Sequence, residues 1–257
     1  MMAGNEKITS AWISIYSFSK QGYHSFFLVL KSDGSLHSVG WNGYGQLGIS
    51  SKVSSSSLVP LSGFNECAKI AKGQEVSYCI KKEGSLWSWG RGLYGESGLG
   101  DNNDRTAPTQ VGISQMWSDI TSYGSTAYGL NNETLYAWGY NSHGELGDGT
   151  TVNKNTPTFI SNSYTKAYAG LYHAILQDSI SSLYATGYGA WGSLGDGTTV
   201  SKSTPFALNI QRDKVFTGLG FNFVIHNDAL YGWGANFGGE QGTGATGYVT
   251  VPTKISY

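Results

Sequence analysis

Residues 135–157 read LYAWGYNSHGELGDGTTVNKNTP, and residues 183–205 read LYATGYGAWGSLGDGTTVSKSTP. The two stretches share a five-residue segment that ends in glycine, a G-x4-G-x2-G pattern that starts at this glycine, and a proline 18 residues after it. A match of this length at a fixed register indicates two copies of one structural unit. The organisation of the chain therefore depends on how often the unit recurs.

The unit recurs five times. The terminal glycines of LHSVG, LWSWG, LYAWG, LYATG and LYGWG lie 50, 49, 48 and 47 residues apart, and all five prolines of the chain fall 18 or 20 residues after one of them. We interpret the motif glycines as structural, because glycine supplies positive φ and close backbone approach, whereas a phosphate cradle needs a helix after the glycine turn. These glycines are Gly40, Gly45, Gly48, Gly90, Gly95, Gly98, Gly139, Gly144, Gly147, Gly187, Gly192, Gly195, Gly234, Gly239 and Gly242.

Each unit predicts four short strands and no helix. The third strand is the L-x3-G segment, which carries small residues on one face and mostly aromatic residues on the other. Both faces are largely apolar, so each sheet must be covered on both sides. Four-stranded sheets arranged around an axis meet this demand in a β-propeller, where we expect the small-residue, thin face of one sheet to receive the aromatic face of its neighbour. The predicted fold class is all-β: one domain over residues 1–257, a five-bladed β-propeller of four-stranded antiparallel blades.

The ends of the units add two expectations. We expect the fourth strand to follow the proline, which donates no ladder hydrogen bond and therefore suits the first residue of a strand or an edge. The chain begins with a first-strand segment, ITSAWISIY, and finishes with a fourth-strand segment, PTKISY. We therefore predict that the N- and C-terminal strands pair and close the ring, which would leave no free edge.

The composition narrows the class of protein. The 257 residues include 37 Gly, 8 Trp, 17 Tyr and 10 Phe, with 13% charged residues and a net charge of −1. This is too aromatic for a disordered chain and lacks the basic excess of a nucleic-acid-binding domain. The longest apolar run, FFLVL, is too short to cross a membrane, and MMAGNEKITS lacks the apolar core of a signal peptide. We expect no nucleic acid partner, no membrane insertion and cytoplasmic synthesis.

The repeats resemble those of the regulator-of-chromosome-condensation family of β-propellers. The segments LHSVGWNGYGQLG, LYAWGYNSHGELGDGT and LYGWGANFGGEQGTG match its repeat pattern closely. The resemblance implies the propeller fold, although the best-known members have seven blades. It also implies a choice of activities, among them guanine nucleotide exchange on a small GTPase and adaptor binding. A fold does not choose between functions, and repeat spacings of 47–50 residues leave no room for the β-wedge of the exchange factors.

Several candidate sites have simpler structural interpretations. Cys67 and Cys79 could face each other across a hairpin, but we favour free buried thiols because nothing marks the chain as secreted. Asp148 and Asp196 precede Gly-Thr, and turn stabilisation is favoured over calcium, which needs six to eight oxygen ligands. The five histidines show no triad partner, and His173 and His24, which lie near the family's repeat register, are interpreted as hydrogen-bonded structural residues. We predict no catalytic residue, no metal site, no cofactor and no enzymatic activity.

The variable places inside the motif carry the candidate partner-binding residues. Loop tips that vary within a fixed frame are common sites of function, and exposed aromatic residues suit protein or glycan recognition. We predict a non-enzymatic binding or assembly module, for example a structural or receptor-facing protein of a bacterium or virus such as a virion component that assembles into a larger particle. The alternative is a guanine nucleotide exchange factor or other regulator of a small GTPase. The candidate anchors are Trp41, Leu93, Tyr140, Tyr188 and Phe237.

Overall fold

A computed structural model describes residues 12–16, 25–113, 116–244 and 246–256. The described residues form twenty strands in five four-stranded antiparallel sheets, each built from one repeat in the order first, second, third, fourth strand. They contain no helix, and so none that is long and apolar enough to span a membrane. The predicted all-β architecture of four-stranded antiparallel blades is confirmed.

The strands follow the repeat boundaries. Blade 1 contains β1 (Trp12–Tyr16), β2 (Phe26–Lys31), β3 (Leu36–Gly40) and β4 (Ser55–Pro60); blade 2 contains β5 (Cys67–Lys72), β6 (Val76–Lys81), β7 (Leu86–Gly90) and β8 (Arg105–Gln110); blade 3 contains β9 (Trp117–Tyr123), β10 (Thr126–Asn131), β11 (Thr134–Gly139) and β12 (Lys154–Ser161); blade 4 contains β13 (Tyr164–Ala169), β14 (His173–Asp178), β15 (Ser182–Gly187) and β16 (Lys202–Gln211); blade 5 contains β17 (Lys214–Thr217), β18 (Phe221–His226), β19 (Ala229–Asn236) and β20 (Gly247–Lys254).

The hydrophobic core lies between consecutive blades. Each of four clusters of buried residues draws on two neighbouring blades, from blades 1 and 2 through to blades 4 and 5. In three of these clusters the aromatic face of a blade's third strand forms part of the core. Its tryptophan, Trp89, Trp138 or Trp233, is fully buried. The predicted packing of a thin face against a neighbour's aromatic face is therefore observed.

The position of the prolines differs from the prediction. The fourth strand begins before its proline in every blade, and Pro60 is even the last residue of β4. The strand is the edge of its sheet, where an amide that faces away from the ladder needs no partner, so a proline is tolerated inside it. In blade 3 Ala137 pairs with Thr158 and Gly139 pairs with Lys154, so Pro157 lies in an irregular part of the ladder between β11 and β12. The edge position, rather than a strand start, accommodates the proline.

The preference for free cysteine thiols was wrong. Cys67 and Cys79 form a disulfide bond, with Cα atoms 6.0 Å apart on the neighbouring strands β5 and β6. A register shift between Cys67 and Lys69 makes Cys67 the partner of Lys81, two residues from Cys79. This bulge brings both cysteine side chains to the same face of the hairpin.

The predicted closure is not shown by the described residues. The first strand pairs with β2 and the last strand with β19, each within its own repeat. None of the core clusters joins blade 5 to blade 1 among the described residues. The expected contribution of Ala11 to the first strand and the expected role of His24 lie outside the described residues.

Candidate functional site

The fifteen motif glycines all have positive φ, which is the backbone geometry that the repeat pattern indicates. At Gly144, φ is +83°, and a Cβ atom would collide with the backbone of Ser203 in the next blade. The amide of Gly149 then donates to the carbonyl of Ser203 at 2.9 Å. The motif loops of blades 1 to 4 are thus fixed both by their own turns and by the next blade.

Three asparagines that the sequence analysis overlooked hold the loops rigid. The side-chain oxygen of Asn141 accepts the amide of Leu146 at 2.9 Å, while its Nδ2 donates to the carbonyl of Val152 at 3.1 Å. Asn42 makes the same two bonds in the first repeat, and the side-chain oxygen of Asn236 accepts the amide of Gln241 in the fifth. The recurrence of Asn two residues after the opening glycine was the available signal.

The residue after the second glycine forms another turn. In the third repeat the amide of His143 donates to Oε2 of Glu145 at 2.8 Å, and Glu145 is buried. Burial raises the pKa of Glu145 to about 7, although its backbone donors act in the opposite direction. Burial also raises the pKa of Glu96, the equivalent residue in the second repeat, against backbone donors and Arg91. These carboxyl groups are loop-stabilising groups below the surface.

Aromatic side chains form an arc of two contacting groups of rings over this loop face. Tyr94 and Tyr140 have ring centroids 5.1 Å apart, and Tyr188 lies 4.7 Å from His143 and 5.3 Å from Trp191. The successive contacts are edge-to-face or tilted, the geometries that aromatic pairs favour. We call this set the aromatic arc; its members are Trp41, Tyr44, Tyr94, Tyr140, His143, Tyr172, Tyr188, Trp191, Phe237 and Tyr248.

Arg91 bridges the break in the arc between Tyr44 and Tyr94. Its guanidinium carbon lies 5.1 Å from the centroid of each ring, within the range of a cation–π interaction. Its Nη1 atom pairs with Oε2 of Glu75 at 2.6 Å. Beside this group lies a recess of about 400 Å³, lined by tyrosines of four repeats and by the Glu75–Arg91 pair. The arc therefore combines apolar rings, phenol hydroxyls and one ion pair.

The structure brings four of the five predicted anchors into this arc. Trp41, Tyr140 and Tyr188 are half-buried, and the side chain of Phe237 is 57% exposed. Leu93 is 51% exposed on its loop and contributes no ring to the arc. The sequence analysis overlooked Tyr172 and Tyr248, which lie outside the motif frame: Tyr172 precedes β14, and Tyr248 belongs to the edge strand β20.

The acidic and histidine candidates have structural partners. The amide of Thr150 donates to Oδ1 of Asp148 at 2.9 Å, and Lys154 pairs with the same carboxylate at 3.3 Å. Asp196 repeats both contacts with Thr198 and Lys202, so the predicted turn role of the two aspartates is confirmed. Among the described residues no group of three or more His, Cys, Asp and Glu is placed to hold a metal ion.

The buried histidine belongs to the interface between blades 4 and 5. The Nε2 atom of His173 lies 2.8 Å from Oδ1 of Asn222 in the next blade, and Nδ2 of Asn222 donates to the carbonyl of Ser193. Burial lowers the pKa of His173 to about 4, although the bond to Asn222 opposes this effect. The side chain is neutral near pH 7 and fully enclosed, as expected for the hydrogen-bonded structural histidine that the sequence predicts.

Comparison with known proteins identifies one family of repeat proteins. The model of the regulator of chromosome condensation (RCC1) repeat matches residues 33–80, 83–123 and 132–176, about half of the chain. The ultraviolet-B receptor UVR8 of Arabidopsis thaliana is 36% identical over 91 residues, which cover 34% of this chain and 20% of that protein. The chain thus matches about a fifth of the length of this relative.

Two solved structures share the fold over most of the chain. Human WBSCR16 superposes with a TM-score of 0.82 at 22% identity, covering 96% of this chain and 68% of that one. Yeast RCC1 (Prp20), crystallised with Kap60 bound, gives a TM-score of 0.79 at 18% identity, covering 90% of this chain and 59% of that one. At these identities the likeness shows the fold.

Proposed function

Because this chain belongs to the family of regulator of chromosome condensation (RCC1) repeat proteins, we propose that it is a non-enzymatic protein-binding module whose partner docks on the aromatic arc. The observation that carries the proposal is the extension of the arc over the loops of all five repeats, through ring contacts and the Arg91 bridge between Tyr44 and Tyr94. Tyrosine and tryptophan are enriched among the anchors of protein interfaces. A protein partner also fits the structural neighbour that was crystallised with Kap60.

The physical character of the arc supports a protein surface as its ligand. Half-buried rings held edge-to-face present apolar area without losing side-chain freedom on binding, which lowers the cost of association. Phenol hydroxyls and the Glu75–Arg91 pair supply polar contacts at the recess, which residues of blades 1 to 4 line. A glycan partner, a place in a virion or other particle, and cytoplasmic synthesis gain no support from the comparisons and stay predictions.

The test compares arc variants with a matched aromatic control. Tyr140→Ala and Tyr188→Ala remove two rings of the arc, whereas Phe159→Ala removes an exposed ring on the outer strand β12. We expect a partner recovered by wild-type protein to bind each arc variant ~5–30-fold more weakly, because truncation of a contributing interface residue costs about 1–2 kcal/mol, and to bind Phe159→Ala normally. Equal binding by all variants would contradict the proposal.

Two further measurements separate the proposal from its alternatives. If the rings only cover the blade ends, the arc variants will lose thermal stability without a selective loss of binding, so the melting temperature is measured on the same samples. If the chain is a nucleotide exchange factor, it will accelerate release of a fluorescent guanine nucleotide from a small GTPase. Partner binding that depends on the arc, without accelerated release, supports the binding module.

A further inference from the structure

Blades 2, 3 and 4 share an aromatic contact in the interface with the preceding blade. One ring belongs to a residue that leads into or begins the first strand, and the other to the second residue of the L-x3-G segment. The rings meet edge-to-face, the geometry that aromatic pairs favour. The centroid distances are 5.3 Å for Phe64 and Trp87, 5.8 Å for Trp117 and Tyr136, and 5.1 Å for Tyr164 and Tyr184.

Blade 5 has only one half of this pair. Tyr231 is the second residue of its L-x3-G segment, and among the described residues its side chain makes no ring contact and no hydrogen bond. Counted back from the regular ladder between the first two strands, Arg212 takes the place of Trp117 and Tyr164. Its guanidinium carbon lies 5.7 Å from the ring centroid of Tyr168 in blade 4. The place beside the ring of Tyr231 is therefore left without an aromatic neighbour.

A recess of about 870 Å³ lies beside Tyr231, between blades 4 and 5. The equivalent recess between blades 2 and 3 has the ring of Trp117 in its wall and measures about 360 Å³. Asp196 lines the larger recess, but its carboxylate pairs with Lys202 at 3.0 Å, so an occupant needs no charge. Both walls belong to consecutive blades, so the recess does not depend on how the first and last blades meet. We call it the rim recess; its larger apolar side chains are those of Phe206, Leu208, Ile210, Tyr231 and Val251.

Polar groups of blade 5 also face the rim recess. In blade 4 the hydroxyl of Tyr184 donates to Oδ2 of Asp178, the last residue of β14, at 3.2 Å. The last residue of β18 is His226, whose Nε2 atom lies 3.0 Å from Nδ2 of Asn227. His226 and Tyr231 both line the rim recess, and the phenol hydroxyl of Tyr231 is available there to a ligand. A ring that carries a polar group fits this combination.

The rim recess reaches the outer edge of β16. Six successive residues, Phe206–Gln211, line it, and they include both faces of the strand. With ten residues β16 is the longest strand in the described part of the chain, and it pairs with β15 alone. Backbone groups on the outer side of an edge strand have no ladder partner, so an extended peptide can add to the sheet there.

We propose that the rim recess binds an aromatic side chain with a polar group, such as tyrosine, from an uncharged extended segment of a partner protein that pairs with β16. The ring packs on Tyr231, at the place that the chain itself fills with Phe64, Trp117 or Tyr164 in the other blades. The free edge of β16 favours a peptide over an isolated ring. No residue of the aromatic arc lines the rim recess, so this site is independent of the proposed function.

The experiment titrates isotope-labelled protein with small probes and follows the backbone amide resonances. The probes are acetyl-Thr-Ser-Tyr-Ser-Thr-amide, the same peptide with leucine in place of tyrosine, and p-cresol, which is the tyrosine side chain alone. We expect the tyrosine peptide to shift the resonances of Ala207, His226 and Tyr231. The leucine peptide should bind ~3–10-fold more weakly, because it forms no aromatic pair. Binding of p-cresol should be weaker by ~10-fold or more, because it makes no hydrogen bonds with the strand.

Two substitutions of one residue separate filling of the rim recess from loss of a charge. Arg212→Trp supplies the ring that blade 5 lacks, so it should abolish the shifts that the tyrosine peptide causes. Arg212→Ala removes the same guanidinium without filling the recess, and it should bind the peptide like wild type. The melting temperature of Arg212→Trp should equal or exceed that of wild type, because the added ring fills an open space.

A second pair of variants tests the contact with Tyr231 directly. Tyr231→Val should bind the tyrosine and leucine peptides equally, because the preference for a ring depends on this contact. Tyr184→Val, at the covered place in blade 4, should keep the preference. Tyr140→Ala should leave the shifts unchanged, since Tyr140 belongs to the aromatic arc. The proposal is overturned if wild-type protein binds the two peptides equally, if Arg212→Trp binds like wild type, or if p-cresol binds as tightly as the tyrosine peptide.

Discussion

At the scale of single residues, the second glycine of each motif meets two separate physical demands. Gly144 and Gly239 have almost the same φ, +83° and +84°, so both impose the strain of a left-handed backbone on any other residue. Gly144 also lies against the next blade, while a Cβ atom at Gly239 would meet no atom of the described residues within 4 Å. The repeat pattern shows that glycine is required, but only the structure separates the two reasons.

This pair predicts unequal effects of the same substitution. Gly239→Ala should lower the free energy of unfolding by ~1–2 kcal/mol through backbone strain alone. Gly144→Ala should lower it by a further ~1–3 kcal/mol, because the packed strand must also move. Urea denaturation of the two variants in dilute solution measures both values. Equal losses would show that packing between blades adds nothing at this position.

The buried carboxyl of Glu145 predicts a pH dependence of stability. Its pKa is about 7 in the folded protein against 4.5 ordinarily, so the folded state holds this proton more tightly than the unfolded state between these values. The corresponding stability is fully present below about pH 4.5 and is lost as the pH rises through 7, with a full effect on the order of 3 kcal/mol.

The measurement is the difference between wild type and Glu145→Gln from pH 5 to pH 8. Because Gln46 occupies the same motif place in the first repeat, glutamine suits the loop. Glu145→Gln should lose this part of the pH dependence. The control variant Glu240→Gln changes the equivalent residue of the fifth repeat, which is exposed, and should keep the pH dependence. Parallel wild-type and Glu145→Gln profiles would contradict the assignment; the buried His173 is unchanged in both proteins and cancels from the comparison.

At the scale of the strands, the third strand was the most predictable element and the fourth the least. Leucine, a small residue and glycine on one face fix the span of β7 and β11, because that face must fit a neighbouring blade. The edge strand β4 has partners on one side only, so its sequence is weakly constrained and its proline gave a misleading start. The bulge after Cys67 could not be predicted from the sequence either, since it depends on the register between β5 and β6.

The disulfide in this hairpin predicts a measurable contribution to stability. The bond closes a loop with a sequence separation of 12, for which the chain-entropy estimate is about 3 kcal/mol. Cys67→Ala/Cys79→Ala should lose roughly this amount under oxidising conditions. Addition of a reductant to unfolded wild-type protein before refolding should have a similar effect, and should leave the double variant unchanged. No difference between oxidised wild type and the double variant would contradict the bond.

The repeat pattern predicted which residues share the face of the candidate site, but not the contacts between their rings. Tyr140 and Tyr188 stand at a fixed place in a repeated frame, so their location on one face followed from the repeat alone. Their contacts with Tyr172 and His143 did not, because Tyr172 reaches the arc from a different loop of blade 4. Spacing within a motif predicts which face a residue occupies; which rings touch depends on packing between blades.

At the scale of the whole molecule, consecutive blades of the described residues pack against one another, so the stability of each blade depends on its neighbours. The core clusters pair blade 1 with 2, 2 with 3, 3 with 4 and 4 with 5. Blade 3 is therefore covered on both sides, while blade 5 is covered on one within the described residues. In repeat arrays the stability of a unit is approximately its own plus that of its neighbouring interfaces.

Native-state hydrogen exchange should then show a gradient along the array. The third strands β11 and β19 have similar ladders, each hydrogen-bonded to a strand on both sides, so a difference in their exchange reports the coverage of the blade faces. In dilute protein the amides of β19 should exchange through local opening at a lower free energy than those of β11. Equal protection of both strands would mean that the fifth blade is covered in solution, as in a closed ring.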